Sequence, residues 1–547
     1  MGHVDAEGFI GSLLGRNIMY DIKFKNVSVI DGTGKAARRS DVAVAQGIIV
    51  ALGNALDGEA IQVIEGEGLS LSPGFIDMHS HCDLLPFREE PYRSSRIHQG
   101  ITTDCAGQCG LGPAPYTEDI RDWKDCVTPV VGDAIQASWA WPRFGDFLDE
   151  LDRQPMLHNQ AMFIAHGAIR ANAVGLEDVP LTRNHLGKMQ SILEEALDAG
   201  AFGASFGLSY LPGMYAQQEE IMHLAHTLAK RNRVFMVHIR SHSLEFKEAV
   251  QEMIEISRRT GVKMHLSHLK SYGNRHYGTA GETILQWLEP AWEEGLSITY
   301  DEHPYRGGST MLSQVLPPWM RLGGSAEMVM RLQDEGILSR LVDELTEPVV
   351  EYPGWDNFSA IAGWDNIVVS SIENPVYQSL VNHSISEIAQ EMNLDPVRAA
   401  AWVLVRDEGR SAMVMLDIFR DDDLAVLMSN EHAMVGSDGI PTGKSHPRLF
   451  GAFPLFLQKM VREQKVLSLE KAIHRITGLS ADRLGIGDRG LIREGQVADL
   501  VLFSPDHIGV QEDYLHPMSQ PTGIHEVFVQ GKPAQLAAGQ VLRAGRS

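Results

Sequence analysis

Residues 73–83 read PGFIDMHSHCD, an apolar run that opens with Pro-Gly and reaches two histidines. The pattern predicts a short buried strand with His79 and His81 at its carboxyl end. Because residues i and i+2 of a strand point to the same face, both imidazoles can face one point. We therefore expect other side chains with ligand chemistry to converge on that point from elsewhere in the chain.

The middle of the chain alternates between strand-like and helical segments. Seven more apolar runs predict strands, and these are TTDCAGQCG, MFIAHGAIR, GAFGASFGLSY, VFMVHIRSH, KMHLSHLK, SITYDEHPY and AMVGSDG. Residues 187–200, before the fourth strand, have apolar positions at helical spacing and end at Gly200, a typical helix terminator. Eight strands with helical crossovers predict an α/β protein with a parallel (β/α)8 TIM barrel. Its functional residues should follow the strands, because active sites of such barrels lie where the strands end.

Both ends of the chain have a sequence pattern that differs from that of the middle. Residues 20–70 alternate in the manner of short antiparallel strands, and 498–505 and 525–536 resume this pattern. The termini, residues 1–70 and 481–547, are therefore predicted to build one small sheet domain beside a barrel at 71–480. The stretch at about 310–365, after the seventh strand, is predicted to be an insertion that acts as a lid or substrate loop.

Composition excludes several classes of partner. The 547 residues carry a formal net charge of −24, which argues against nucleic acid and anionic membranes as partners. The first 17 residues have no apolar core of a secretory signal, and no run approaches the ~18 apolar residues of a membrane span. All four cysteines lie within 82–126, so a disulfide framework is not expected. A soluble cytoplasmic protein is the expectation, with homo-oligomerisation left open.

Six residues with ligand chemistry follow the predicted strands. A histidine or cysteine in an apolar run is, taken singly, more often a core residue than a ligand. Together, four imidazoles, a thiol and a carboxylate at one end of a barrel suit a transition metal such as Zn²⁺. Six donors exceed the three protein ligands of an ordinary catalytic zinc and suit two adjacent ions. The six are His79, His81, Cys109, His238, His268 and Asp438.

The ordered set of motifs resembles a known family. The chain resembles the metal-dependent amidohydrolase superfamily, and more closely its N-acyl-D-amino-acid deacylase (D-aminoacylase) branch, over most of residues 20–540. The resemblance rests on PGFIDMHSHCD, GITTDCAGQCGLGPAP, GASFGLSYLPGMYA, HLSHLK, HPYRGGST, GSDGIP and HPRLFGAFP. It implies a small β-sandwich formed by both termini, one or two zinc ions per chain, and a small-molecule substrate. The implied reaction is hydrolysis of an N-acyl-D-amino acid to a carboxylate and a free D-amino acid.

The resemblance also implies a role for each metal-site residue. Cys109, in AGQCG, matches the cysteine that D-aminoacylases use where many amidohydrolases have a carboxylated lysine. It would share the tightly held ion with His238 and His268. The histidine pair that ends the first strand would hold a second, weaker site. Asp438 would contact metal and act as general base, passing a proton from water to the leaving amine.

Five further residues are implied to contact substrate. Lys270 and Arg448 match the cations expected at the α-carboxylate, while Tyr210 and Ser309 match other pocket positions. One position departs from the family, since His303 stands where D-aminoacylases commonly have the first tyrosine of Tyr-Pro-Tyr. This places His303 in the substrate pocket and leaves substrate choice open there.

Two alternatives remain at this point. A cyclic-amide hydrolase of the dihydropyrimidinase or dihydroorotase type would favour a lysine bridge over Cys109 and would not call for Arg448. A non-catalytic scaffold with the same fold should have lost metal ligands, yet all six are present. His166 and Arg170, on the third predicted strand, are expected to be structural.

Overall fold

The computed structural model describes residues 19–132, 139–273, 278–346 and 351–545. The prediction made for the first 17 residues lies outside this part of the chain. Within the described ranges, no helix combines the length and the apolar character that crossing a membrane requires.

The strands of the described chain are short, and most lie in buried positions. In chain order they are β1 (Tyr20–Val29), β2 (Arg38–Ala45), β3 (Ile48–Gly53), β4 (Ala60–Glu65), β5 (Ser70–Pro73), β6 (Phe75–Asp77), β7 (Ile101–Ala106), β8 (Asn159–Met162), β9 (Ile164–Ala165), β10 (Gly203–Gly207), β11 (Val234–His238), β12 (Lys263–Leu266), β13 (Ile298–Glu302), β14 (Gly308–Met311), β15 (Ile367–Ser371), β16 (Ala412–Met415), β17 (Ala433–Val435), β18 (Leu500–Phe503), β19 (Ile524–Val529), β20 (Lys532–Pro533) and β21 (Val541–Leu542).

Helices separate most of the central strands. The α-helices span Arg121–Val131, Phe144–Leu151, His166–Val174, Arg183–Ala199, Gln218–Lys230, Phe246–Thr260, Ala280–Glu293, Pro318–Arg321, Ser325–Leu332, Glu335–Leu345, Phe358–Ala362, Ile385–Met392, Pro396–Arg406, Asp421–Ser429, Arg448–Phe456, Leu469–Arg475 and Gly478–Leu484. Helix Arg183–Ala199 buries Met189 and Leu193 and ends at Gly200, whose φ of 117° is in the left-handed region that glycine tolerates. This is the helix predicted from the apolar spacing of residues 187–200.

The central strands form two parallel sheets. Their orders are β6-β7-β8-β21 and β9-β10-β11-β12-β13-β17. The sheets meet between β8 and β9, where Phe202 N, just before β10, donates to Met162 O of β8 at 3.0 Å. At the opposite side, Met78 N donates to Val435 O at 3.1 Å, which joins the ends of β6 and β17. The predicted α/β class is confirmed, and each of the eight predicted segments carries strand residues whose carboxyl ends lie on one side.

A separate mixed sheet contains strands from both ends of the chain. Its order is β20-β19-β18-β5-β1-β2-β3, with β4 paired parallel to β1. Phe24 from β1 meets Phe528 from β19 edge to face at 5.2 Å in its apolar core. The last strand, β21, leaves this sheet and pairs with β8 of the central strands.

The long segment between β13 and β17 builds a unit of its own. Strands β14, β16 and β15 form an antiparallel sheet in that order. Helices between them pack on a separate apolar core that includes Leu312, Leu341 and Leu404. This unit begins close to the predicted insertion boundary but continues well past residue 365.

A buried ionic network ties two helices beside the parallel strands. His166 Nε2 lies 2.7 Å from Glu220 Oε1, and Arg170 Nε lies 3.4 Å from Glu220 Oε2. All three side chains are at most 1% exposed. His166 and Arg170 were predicted on the third strand but lie in helix His166–Val174, directly after β9. Both contact Glu220, and their structural role stays a prediction.

This network predicts a pH-dependent contribution to stability. Burial alone would raise the pKa of Glu220, but His166 and Arg170 hold it below the ordinary value. Because the folded pKa lies below the unfolded one, the contribution is present above about pH 4.5 and is lost as the pH falls. We expect Glu220→Ala to lower the free energy of unfolding by about 3–5 kcal/mol at pH 7, since it leaves buried charges unpaired.

Urea unfolding at pH 7 and pH 4 tests this expectation. The difference between wild type and variant should narrow at the lower pH. Glu219→Ala, at the exposed neighbouring position, is the matched control and should change stability little. A difference that is independent of pH would contradict the assigned role of the carboxylate.

Candidate metal centre and active site

The six predicted metal-site residues all lie at the carboxyl ends of the parallel strands. His79 and His81 follow β6, Cys109 follows β7, His238 ends β11, His268 follows β12 and Asp438 follows β17. All six are buried. Three of them, Cys109, His268 and Asp438, have positive φ values of 53°, 36° and 50°. Such backbone strain in non-glycine residues clusters at functional sites.

The glycines of AGQCG allow the turn that directs Cys109 inward. Gly107 has a φ of 83°, and a Cβ there would lie 2.1 Å from Phe163 O. Gly110 has a φ of 66°, and a Cβ there would lie 2.6 Å from Gly207 N. Only glycine fits two such positions, so the motif sets the path of the loop around the thiol.

Asp77 joins the first and last strand ends. Its Oδ1 accepts hydrogen bonds from His79 N at 3.1 Å and from Ser437 N at 2.8 Å. Asp438 N in turn donates to His79 O at 2.8 Å. The carboxylate is paired with the buried guanidinium of Arg96 at 2.9 Å. These contacts fix the histidine pair and Asp438 in one relative position.

The donor atoms form two groups that share one thiol. His79, His81 and Cys109 make one group, and Cys109, His238 and His268 make the other, each with ligand atoms within 4.8 Å of one another. Cys109 Sγ lies 3.3 Å from His79 Nε2 and 3.4 Å from His268 Nε2. Ligand atoms around a tetrahedral zinc lie about 3.3–3.6 Å apart, given bonds of about 2.0–2.3 Å. The donor types and spacing therefore fit zinc, with Cys109 able to face two ions.

Burial prepares these groups for a cation. It lowers the pKa of His238 and His268 well below the usual value, which keeps both imidazoles neutral. Burial raises the pKa of the Cys109 thiol, against the opposing effect of His79. A buried thiolate is costly without adjacent positive charge, and neutral imidazole is the form that binds metal. A metal ion would satisfy both requirements.

Asp438 lies between the histidine pair, His79 and His81, and the guanidinium of Arg448. Its Oδ1 is 3.2 Å from His81 Nε2, and its Oδ2 is 3.0 Å from Arg448 Nη1. Burial alone would raise the pKa of Asp438, but Arg448 and the histidines hold it well below its usual range. The carboxylate is therefore ionised at neutral pH and can accept a proton.

Arg448 is held by three groups around it. Besides Asp438, its Nη1 lies 3.2 Å from His303 Nε2, and its Nη2 donates to Ser309 O at 3.1 Å. His303 thus contacts Arg448 directly. Ser309 contributes its carbonyl to this contact, while its hydroxyl donates to Met413 O at 2.9 Å.

Lys270 is paired with a carboxylate that the sequence analysis gave no role. Its Nζ lies 2.5 Å from Glu302 Oε2, and both side chains are buried. Burial raises the pKa of Glu302 to about 7, although the charge of Lys270 opposes that rise. Lys270 therefore faces the site with its charge already opposed by Glu302.

Ten of the eleven predicted residues line one cavity. His79 is the exception, although its Nε2 lies 3.3 Å from Cys109 Sγ. Tyr210 lines the cavity with its ring 4.7 Å from that of His238, and its hydroxyl is 3.2 Å from Thr310 Oγ1. The ten are His81, Cys109, Tyr210, His238, His268, Lys270, His303, Ser309, Asp438 and Arg448.

Two further residues support the donor groups. Asp301 Oδ2 lies 3.4 Å from His79 Nδ1, and Asp301 Oδ1 accepts from His268 N at 3.0 Å. His242 packs its ring 4.9 Å from His238 and 5.2 Å from His268, with Nδ1 3.1 Å from Lys270 O. Asp301 lies near the end of β13, the seventh predicted strand, and this position in the sequence could have indicated its role. No comparable signal marks His242, which lies four residues past a strand end.

Comparison with known proteins gives a consistent result over nearly the whole chain. The sequence pattern of the Amidohydrolase family matches residues 62–348 and 391–535. An N-acyl-D-aspartate deacylase of Alcaligenes xylosoxydans xylosoxydans is 31% identical over 94% of this chain and 91% of its own length.

Solved structures agree with the sequence comparison. The crystal structure of an N-acyl-D-glutamate deacylase from Bordetella bronchiseptica, complexed with zinc and a phosphonate mimic of the tetrahedral intermediate, is similar. It has a TM-score of 0.81 and 29% identity, over 96% of this chain and all of that one. A second similar structure is that of a D-aminoacylase with a binuclear metal centre, for which activation by one metal and attenuation by the second are described. It has a TM-score of 0.79 and 27% identity, with the same coverage.

Proposed function

The chain belongs to the amidohydrolase family, and from that premise we propose that it hydrolyses the amide bond of N-acyl-D-amino acids. The products are a carboxylate and a free D-amino acid. The observation that carries the proposal is the meeting of Cys109, Asp438 and Arg448 in one cavity. A shared thiol donor, an ionised carboxylate and a guanidinium supply a metal site, a proton acceptor and a carboxylate-binding group.

We propose the finer architecture from the strand contacts. The parallel strands would close into the (β/α)8 barrel at 71–480, supported by the hydrogen bond from Met78 to Val435. The sheet shared by both termini would be part of the small β-sandwich, with 1–70 and 481–547 as its two contributions. Strand β21 is a local departure from that division.

Zinc is the proposed cofactor, with one or two ions per chain. Cys109, His238 and His268 would hold the tighter ion, and His79 and His81, with Asp438, the weaker one. A bound ion supplies Lewis acidity, which lowers the pKa of water and polarises the acyl carbonyl. One-metal activation is described for the similar D-aminoacylase, and this supports the proposal that a single ion is sufficient.

Asp438 is the proposed general base. It accepts a proton from the attacking water and returns it to the leaving amine. The ion pair with Arg448 keeps Asp438 ionised and oriented between the histidine pair and the cavity. Loss of the Arg448 guanidinium would therefore alter Asp438.

The substrate carboxylate is proposed to bind beside Arg448 and Lys270. Arg448 Nε is buried without a hydrogen-bond partner among the described residues, so the guanidinium has a donor left to offer. Tyr210, Ser309 and His303 would complete the pocket. The preference for the D configuration rests on the relatives' named activities.

The two alternatives are not favoured. A cyclic-amide hydrolase would be expected to have a lysine bridge, and the shared donor here is Cys109. A scaffold without catalysis would not need the buried, strained Asp438. Neither alternative explains why a guanidinium faces the same cavity.

A hydrolysis screen tests the proposal directly. N-acetyl and N-formyl amino acids in both configurations would be incubated with protein of measured metal content, and free amine would be quantified. We expect release from D substrates in proportion to bound zinc. Hydrolysis of hydantoin or dihydropyrimidine rings in place of the linear amides would overturn the proposal.

Arg448 gives a prediction about substrate class. Arg448→Ala should lose about 2–4 kcal/mol of transition-state binding for a free-carboxylate substrate, because a charged hydrogen-bond partner is removed. Arg448→Lys should also be impaired, since lysine keeps the charge but loses the planar fork. The measurement is kcat/KM for an N-acetyl-D-amino acid and for its C-terminal amide.

The amide-capped substrate is the control in this comparison. It has no carboxylate, so wild type should hydrolyse it poorly. In Arg448→Ala, its kcat/KM should fall only by the part that comes from the broken contact between Arg448 and Asp438. The difference between the two losses isolates the contact with the substrate carboxylate. Equal losses would mean that Arg448 acts through Asp438 alone.

A further inference from the structure

Asp356, in the unit between β13 and β17, is a buried carboxylate that the proposed mechanism does not use. It is 5% exposed and lies two residues before helix Phe358–Ala362. Its hydrogen-bond donors belong to the loop after β11, 113–115 residues earlier in the chain. The carboxylate therefore joins this unit to the parallel strands, just beyond His238.

The loop after β11 wraps around the Asp356 carboxylate. Oδ1 accepts hydrogen bonds from Ser241 Oγ at 2.7 Å, from Ser243 N at 3.1 Å and from Ser243 Oγ at 2.8 Å. Oδ2 accepts one from His242 N at 2.9 Å. Hydrogen bonds to an ionised acceptor are stronger than those between neutral groups. With both of its oxygens, Asp356 thus holds three consecutive residues of the loop in place.

His242, at the centre of this loop, packs against two of the proposed metal ligands. Its ring stacks on that of Tyr272, with centroids 4.6 Å apart and planes at 14°. It also meets the ring of His238 at 4.9 Å and that of His268 at 5.2 Å. Side chains packed this closely cannot shift singly. The position of the His242 ring therefore restricts both imidazoles.

His242 also holds the stretch of chain that carries His268. Its Nδ1 lies 3.1 Å from Lys270 O, and because a carbonyl oxygen can only accept, Nδ1 is the donor. In return, Tyr272 N donates to His242 O at 2.8 Å. Residues 268–272 are thus bound at two points to the loop that Asp356 holds.

The segment around Asp356 also forms part of the cavity wall. Phe358, two residues further on, lines the cavity and packs on Tyr272 with ring centroids 5.7 Å apart. Asp356 therefore lies where the wall of the candidate active site meets the loop that supports the donor groups.

We infer that Asp356 is a positioning residue of the metal centre and acts through the ring of His242. By holding that ring, it keeps His238 and His268 at the spacing that an ion requires. The unit between β13 and β17 then supports the metal centre as well as covering the cavity. This inference rests on the metal centre of the proposed function and not on the identity of the substrate.

The affinity for zinc, measured by competition between the full-length protein and a chelating dye, tests this inference without any substrate. Asp356→Asn keeps the shape of the side chain but replaces one accepting oxygen with an NH₂ group that faces N–H and O–H donors. We expect its zinc Kd to rise about 10–100-fold, the cost typical of mutations outside the ligand shell. The visible absorption of cobalt-substituted protein, which reports ligand geometry, should change as well.

Asp407→Asn is the matched control. Asp407 belongs to the same unit and is 1% exposed. Like Asp356, it accepts hydrogen bonds from backbone N–H groups and serine, here Glu373 N at 2.9 Å, Asn374 N at 2.8 Å and Ser411 Oγ at 2.8 Å. All three partners lie within the unit itself. The variant should lose stability, yet its zinc Kd and cobalt spectrum should match those of wild type.

A double-mutant cycle shows whether Asp356 acts through His242. His242→Ala removes the ring and should also raise the zinc Kd, and it supplies the test if Asp356→Asn does not fold. Added to His242→Ala, Asp356→Asn should change the Kd little further, whereas independent effects would multiply.

The outcomes separate this inference from the proposed function. An unchanged zinc Kd in Asp356→Asn, folded by circular dichroism, overturns the inference alone. The same holds for an equal rise in Asp407→Asn, which would mean that loss of stability is the cause, and for effects that multiply in the cycle. A wild type that binds no zinc overturns the metal centre and this inference together.

Discussion

Asp438→Asn is expected to lower turnover of the zinc-loaded enzyme by about 10²–10⁴-fold, the range associated with loss of a general base. Asparagine has nearly the same shape but cannot accept a proton from water. KM should change little, because Arg448 and Lys270 remain. The measurement is kcat and KM for an N-acetyl-D-amino acid, with metal content determined on the same sample.

The pH–rate profile provides a second readout. Wild-type activity should fall as the pH falls, because protonation removes the base, and the low pKa of Asp438 places that fall at acid pH. Residual activity of the variant should lack this acid limb. Asp422→Asn, at an exposed residue paired with Arg420, is the matched control and should behave as wild type. A variant with near-wild-type turnover would show that another group in the cavity is the base.

The central strand ends were predictable because their signals are local. An apolar run followed by histidine, cysteine or aspartate is visible in PGFIDMHSHCD and AMVGSDG alike. Parallel strands bring such ends to one side of a sheet, so distant positions such as His79 and Asp438 could be placed together. Each strand end can be predicted from its own local sequence, and the parallel arrangement of the strands brings these ends together.

The pairing of charges inside the site was not predictable in the same way. Lys270 and Glu302 follow different strands, and nothing in either motif states that their side chains meet at 2.5 Å. Arg448 was expected to contact the substrate carboxylate, and its contacts with Asp438 and His303 were not predicted. Such contacts depend on side-chain direction and distances of a few ångströms, which spacing along the chain does not encode.

The segment between β13 and β17 was the part of the fold that the sequence predicted least well. An insertion was predicted at about 310–365 because a long stretch separates the seventh predicted strand from the eighth, but the unit also includes β15 and β16, which lie after residue 365. Its apolar core is distinct from that of the parallel strands, and this separation is visible only in three dimensions.

Cys109→Ala is expected to remove both bound metal and activity. The thiol belongs to both donor groups, so its loss leaves two histidines in each. Mutations outside the ligand shell already cost about 10–100-fold in metal affinity, and loss of a shared ligand should exceed that. His268→Ala should lose the tighter ion likewise. His81→Ala should retain it, because His81 belongs only to the group without His238 and His268.

Metal analysis after dialysis against a weak chelator, with activity measured on the same samples, distinguishes these variants. Wild type should hold one to two equivalents of zinc, His81→Ala about one, and Cys109→Ala and His268→Ala well below one. Cys126→Ala controls for loss of a buried free thiol, since Cys126 is in neither donor group. Its metal content should match wild type. The metal centre is the proposed reason that four imidazoles and a thiol converge at the strand ends, so full activity in a verified metal-free sample would end the assignment of a metal centre.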